Sequence, residues 1–146
     1  MQVFIAGIMQ GSRLDHLIDD QSYRHSITRA ILAHYPDAEI VDPNELHPDG
    51  VNYGDEMARE TLITLAELAA EADVLVAYAP HASMGTAIEM WQAFRAGAAI
   101  VTISPLGANW VVRHLSGAVL PDLETFNTWV AAGGLDRLLA DGQPAS

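Results

Sequence analysis

Apolar residues along the chain follow two alternating patterns, and their alternation predicts the architecture. Residues 3–7 (VFIAG) form a short apolar run ending in glycine, the signature of a buried strand. Apolar residues then recur at helical spacing over 22–34, through Ile27, Ala30 and Ile31 with Tyr23 and Tyr35 at the margins, and Pro36-Asp37 stops that helix. Residues 38–41 predict a second strand closed by Asp42-Pro43, and residues 44–54 a polar loop. A long helix is expected over 55–72, with Asp55, Glu56 and Glu60 in its first turns as the helix dipole favours. Residues 73–79 (DVLVAYA) read as a third, central strand, apolar on both faces. After a loop at 80–84 come a helix over 85–96 capped by Gly97, a fourth strand at 99–103, a short helix at 109–115 and a fifth strand at 118–120. A closing helix spans 123–139, with a possible break at Gly133-Gly134, and residues 141–146 look frayed.

Strands alternating with helices predict a parallel sheet covered on both faces. Right-handed crossovers reduce the topologies to a few. The expected fold is a single-domain α/β protein, a Rossmann-like or flavodoxin-like three-layer sandwich. Its five parallel strands run in the order 2-1-3-4-5, over residues 1–140. In that order strands 1 and 3 are neighbours whose following loops diverge. Ligands bind in the crevice this opens. The loops lining it are residues 8–13 and 80–85, the two most unusual stretches of the sequence.

Composition narrows the partners. The net charge is −12, and all seven basic residues are arginine. An acidic surface repels phosphate backbones and anionic membranes, so neither a nucleic-acid polymer nor a membrane is expected as a partner. Without lysine there is no Schiff-base or P-loop lysine. Without cysteine there is no thiolate chemistry, and a reducing, cytoplasmic setting is expected. The chain opens directly on its first strand, with no basic leader, and no signal peptide is expected. No apolar run approaches the ~18 residues that span a bilayer. The six histidines show no metal-binding spacing, and neither a metal nor an organic cofactor is expected.

Two stretches carry candidate chemistry. In Gly7-Ile8-Met9-Gln10-Gly11-Ser12-Arg13, glycines after strand 1 would let the backbone approach a ligand. The spacing fits neither a dinucleotide fingerprint nor a Walker A loop. A plain glycine-rich turn with a surface arginine fits it equally. In residues 80–91 (PHASMGTAIEMW), Ser83 is a candidate N-cap and Gly85 would keep the start of the helix open. Glu89 follows within a run otherwise apolar or small. A carboxylate near a helix N-terminus is favoured as the anion. An ionised carboxylate facing a crevice can attack a sugar's anomeric carbon or stabilise an oxocarbenium-like transition state. The pattern equally admits Glu89 as the solvent face of its helix. His81, just after strand 3, could bind a base or move a proton. Trp91, Phe94 and Trp129 read as core.

Together, AGIMQGSR (6–13), ADVLVAYAPHASMGTAIEMWQAFRAG (72–97) and IVTISPLGANWVVRHLS (100–116) resemble the nucleoside 2-deoxyribosyltransferase superfamily. That group also contains the 2′-deoxynucleoside 5′-phosphate N-hydrolases. The likeness runs from about residue 3 to 117 and is sharpest at A-D-V-x-V-A followed by S-x-G-x-x-x-E. It implies that Glu89 is the nucleophile. The family's first-strand aromatic, near the sugar, falls on Phe4. An arginine of the phosphohydrolase branch falls on Gln10, and a second one on Arg13. Ser83 takes the place of a phosphate-contacting serine, and Asn109 that of an asparagine lent by a neighbouring subunit. Gly7, His81 and Gly85 complete the expected substrate-binding set.

The resemblance also has gaps. The serine that the phosphohydrolases borrow across the interface would fall near Val112 and is missing, and the aspartate of the second helix would fall at Thr64-Leu65, neither acidic. The balance tilts toward a free nucleoside. The expected activity is exchange of the nucleobase through a covalent glycosyl-Glu89 intermediate, with nucleoside and free base as substrates. Hydrolysis of a nucleoside or its 5′-monophosphate is the alternative, and a non-catalytic nucleotide sensor a second one. The resemblance further implies a homo-oligomer, a dimer or higher, with shared active sites and the 109–114 segment near the partner's crevice.

Overall fold

The computed structural model describes residues 1–10, 14–15 and 17–141. The strands are β1 (Gln2–Gly7), β2 (Glu39–Val41), β3 (Val74–Tyr78), β4 (Ala99–Ile103) and β5 (Ala118–Leu120). They form one parallel sheet in the order β2-β1-β3-β4-β5, as the alternation predicts. In register, Gly7 lies beside Tyr78, and Tyr78 beside Ile103. The C-terminal ends of the three central strands therefore share one edge.

The helices are α1 (Ser22–His34), α2 (Pro43–Leu46), α3 (Asp55–Glu71), α4 (Met84–Ala96), α5 (Trp110–Leu115), α6 (Leu123–Ala131) and α7 (Gly134–Asp141). Successive strand residues point to opposite faces, so the two halves of the core interleave in sequence. One face gathers Val3, Ile5, Val74 and Val76 with Tyr23, Ile27 and Ile31 of α1 and Phe126 and Val130 of α6. The other gathers Phe4, Ala6, Leu75 and Ala77 with Ala69 of α3 and Met90 and Ala93 of α4. Small alanines on the second face let α3 and α4 lie close to the sheet.

Around the second and fifth helices, the structure differs from the sequence pattern. The expected loop at 44–54 contains α2 and a 3-10 turn at Gly50–Asn52. Asp42 is the N-cap of α2, accepting from the Asn44 N–H at 2.9 Å, and Pro43 takes the first helical position, where its missing N–H costs nothing. Asn109 is the N-cap of α5 rather than its first residue. The closing helix is divided at Gly133, where the sequence suggests a break, and the φ of 73° there suits glycine. The expected fraying at 142–146 lies outside the described residues.

Candidate active site

Helix α4 begins where the sequence implies. Ser83 has extended backbone, and its Oγ accepts from the Thr86 N–H at 3.4 Å and from Thr86 Oγ1 at 3.0 Å. Gly97, at φ 88°, closes the helix. Thr86, Met90 and Ala93 form the stripe that α4 buries on the sheet. Glu89 is three residues after Thr86 and stands at the margin of that stripe. Its electrostatic neighbours include Arg24 and Tyr23 of α1.

Part of the Glu89 surface stays open, but protein encloses the carboxyl on most sides. Burial pushes its pKa from an ordinary 4.5 up to about 8, and the Arg24 charge only partly opposes this. The expectation that the helix dipole keeps Glu89 ionised is therefore corrected. Glu89 is the sixth residue of α4. The dipole acts mainly within the first turn, and loss of water outweighs it beyond that.

Arg24 is 2% exposed and pairs with Asp42, itself 5% exposed, at 2.9 Å. Its Nη1 donates to Asp42 Oδ1 and to the Ile5 carbonyl, both at 2.9 Å, and its Nε donates to Gln21 Oε1 at 2.7 Å. Nη2 donates to the Gly7 carbonyl at 3.5 Å. The guanidinium is thus pinned beneath the end of β1. Tyr23 stacks on Tyr78 with ring centroids 4.2 Å apart, and burial pushes its hydroxyl far above the usual phenol range. Gly7 is needed for this arrangement, because a Cβ there would collide with the Tyr23 ring. Gln21 Nε2 donates to the Ile8 and Asp19 carbonyls, and the Asp19 N–H to the Met9 carbonyl, which draws together the two ends of the first loop.

The other expected site residues divide into groups. His81, Ser83 and Asn109 come together around a hollow of about 430 Å3 between α4 and α5, floored by Ala79, Met90 and Val112. Glu89 is not among its lining residues, so nucleophile candidate and hollow occupy adjacent parts of the strand-end edge. A second hollow of about 520 Å3 opens toward α6, walled by Tyr78, Pro80 and Asp122. Gly85 faces open space, and Gln10 is exposed. Phe4 has no exposed surface; it packs in the core with Ala69, Leu75 and Met90 and offers no face to a ligand. Arg13 lies outside the described residues. Asn109 spends its side-chain oxygen capping α5, accepting from Val111 N at 2.9 Å and Val112 N at 3.3 Å. On α3, Thr64 is exposed and Leu65 half-buried, so no carboxylate from that slot joins Glu89.

Tyr23, Arg24, Asp42 and Tyr78 were not singled out by sequence. One signal for Arg24 was present. It lies three residues before Ile27, inside the apolar arc of α1, where an arginine is buried only with a partner. Its partner Asp42 is 18 residues away, at a position that the pattern explained as a strand stop.

The fold is that of a doubly wound parallel α/β protein, whose ligands bind at the switch point of the sheet, here between β1 and β3. No protein-family model and no curated protein matches the sequence. Solved structures do share its fold. The 2-deoxyribosyltransferase of Bacillus psychrosaccharolyticus is 16% identical, at a TM-score of 0.62 over 87% of this chain and 90% of that one. The CMP N-glycosidase of Clostridium botulinum is 16% identical, at a TM-score of 0.53 over 90% and 99%. A flavoenzyme NAD(P)H:acceptor oxidoreductase of Paracoccus denitrificans is 14% identical, at a TM-score of 0.50 over 95% of both chains.

Proposed function

We propose that this protein is an enzyme of the nucleoside 2-deoxyribosyltransferase superfamily, acting on the N-glycosidic bond of a nucleoside with Glu89 as nucleophile. The observation that carries this reading is Glu89 itself, a half-buried carboxyl on α4 at the margin of the face that the helix lays on the sheet. The flavoenzyme has the same layers, so the layers alone do not choose a chemistry. A carboxylate can attack an anomeric carbon, which fits glycosyl transfer.

In the proposed reaction Glu89 attacks C1′ as the carboxylate while the C1′–N bond breaks, and the base leaves with a proton taken from a donor or from water. The resulting ester is resolved by a second nucleobase, giving exchange. The base would extend into the hollow between α4 and α5, past His81 and Ser83. Attack by water on the same ester gives hydrolysis, the second reading, supported by the similarity to a CMP N-glycosidase. No step needs a metal or organic cofactor.

Exposed Met84, Trp91 and Trp110, on α4 and α5, support a second copy covering this face and completing the site. Among the described residues no helix is long and apolar enough to cross a membrane. The acidic, cysteine-free chain supports a cytoplasmic setting.

Product analysis tests the reading. Incubation with a 2′-deoxynucleoside and a different free base yields a new nucleoside if the enzyme exchanges bases. Free base and sugar alone mean hydrolysis. No product from any nucleoside or monophosphate contradicts the proposal and favours the nucleotide sensor.

A further inference from the structure

The hollow that opens toward α6 has no place in the proposed reaction. The chain leaving β3 divides it from the other hollow. Ala79 and His81 line the one between α4 and α5, whereas Tyr78 and Pro80 line the one toward α6. Residues alternate in direction along a strand and its exit, so the two hollows lie on opposite sides of this segment. At about 520 Å3 the second is within the roughly 300–1,000 Å3 of small-molecule sites.

Its walls are built in advance. Prolines follow three neighbouring strands: Pro80 after β3, Pro105 after β4 and Pro121 after β5. Each has a fixed φ and no N–H to satisfy. Hydrogen bonds tie these exits together. The Ala79 N–H donates to the Ile103 carbonyl at 3.0 Å, and the Ser104 N–H to the Leu120 carbonyl at 2.8 Å. Ser104 is 2% exposed, and its Oγ donates to the Ala79 carbonyl at 2.6 Å. Tyr78 adds an aromatic wall, itself held by stacking on Tyr23. A site already in shape loses little freedom when it binds.

The charge at this hollow has one sign. Asp122 and Glu124 line it, and among the described residues no cationic side chain does. Asp122 Oδ1 accepts from the Thr125 N–H at 2.8 Å, which fixes the carboxyl and holds its pKa below the ordinary 3.8. The positive end of the α6 dipole would suit an anion, but these two carboxylates already stand there. A phosphate or carboxylate is therefore repelled, and an edge of N–H donors is favoured. Tyrosine and proline walls suit the flat faces of a ring.

We infer that the hollow between the exits of β3, β4 and β5 and the start of α6 is a binding site for a nucleobase with an exocyclic amino group, of the cytosine or adenine class. Tyr78 and the prolines meet the faces of the ring, and Asp122 and Glu124 accept from its amino edge. An oxo group in the same place, as in uracil or hypoxanthine, sets its oxygen against a carboxylate. The choice of a nucleobase among flat amines rests on the proposed reaction, which handles free bases. The preference for an amino-bearing ring does not, and it needs no nucleophile at Glu89.

Titration of the 15N-labelled full chain with free bases tests this. Cytosine should shift the amide signals of Tyr78, Leu123 and Glu124. It should bind tighter than uracil by roughly tenfold or more, the worth of one charge-assisted hydrogen bond. Adenine and hypoxanthine should differ in the same direction. Asp122→Asn with Glu124→Gln removes both charges but keeps a side-chain oxygen to cap α6, so the fold is retained. That double variant should lose the preference. Equal binding of cytosine and uracil, shifts confined to Ser83 and Val112 of the other hollow, or an unchanged preference in the folded double variant overturns the inference. So does an alkylammonium ion that binds as tightly as cytosine, because it has charge but no ring. Glu89→Gln should bind cytosine as wild type does. A wild-type protein that binds cytosine here yet turns over no nucleoside sinks the proposed reaction and leaves this site standing.

Discussion

Burial of Glu89 opposes its own ionisation, and that opposition is measurable in stability as well as in rate. Its folded value of about 8 lies above the ordinary 4.5. Below pH 4.5 the carboxyl is protonated in folded and unfolded chains alike, and no penalty arises. Between 4.5 and 8 the unfolded chain releases the proton first, so this group makes the fold less stable as pH rises. Above 8 the full penalty, on the order of a few kcal/mol, remains. Glu89→Gln should therefore be more stable than wild type at pH 8 and nearly equal to it at pH 4, as urea unfolding at the two pH values will show. A gain at pH 4 equal to that at pH 8 would contradict the burial argument. Turnover should move the opposite way. A nucleophile must be ionised, so kcat/KM should climb with pH toward an apparent value near 8 and then level off. A general acid would give a falling limb instead. The position of Glu89 was readable in the sequence, because a lone carboxylate in an apolar helix start stands out. Its protonation was not, because desolvation depends on the residues that enclose the carboxyl once the chain has folded.

Among the elements, α4 and the end of β1 have the clearest local causes. Ser83→Ala removes the cap that receives the Thr86 N–H and should cost about 1 kcal/mol. If Ser83 also contacts substrate, KM should rise beyond what the stability loss explains. Gly7→Ala forces the Tyr23 ring from its place on Tyr78 and should cost roughly 1–3 kcal/mol, with a loss of activity as Glu89's surroundings shift. A wild-type midpoint in urea would show that Tyr23 moves freely. Element boundaries were legible where a cap or a glycine marks them, as at Ser83 and Gly97. They were missed at α2, because Asp42-Pro43 reads both as the end of a strand and as the start of a helix. Phe4 was assigned to the sugar by resemblance. Strand alternation sends its ring into the α3/α4 core, where no ligand reaches it.

At the scale of the whole molecule, the strand order was derivable because parallel strands with right-handed crossovers have few arrangements. The Arg24–Asp42 pair was not derivable, since its members come from α1 and from the start of α2 and meet only once the sheet is formed. Trp110 is 81% exposed and Met84 83%, both beside the hollow. If a second copy covers them, Trp110→Glu should halve the mass seen by sedimentation and lower activity together. A wild-type chain that sediments as a monomer while fully active would remove the partner from the account.

The claim on which the rest depends is that the Glu89 carboxylate forms a bond to the sugar. The direct measurement is mass spectrometry of protein quenched in acid after mixing with a 2′-deoxy-2′-fluoro nucleoside, whose fluorine slows breakdown of the ester. The account predicts a fluorosugar adduct on the peptide bearing Glu89, absent in Glu89→Gln. Steady turnover of nucleoside by Glu89→Gln, or an adduct on a different residue, would contradict it.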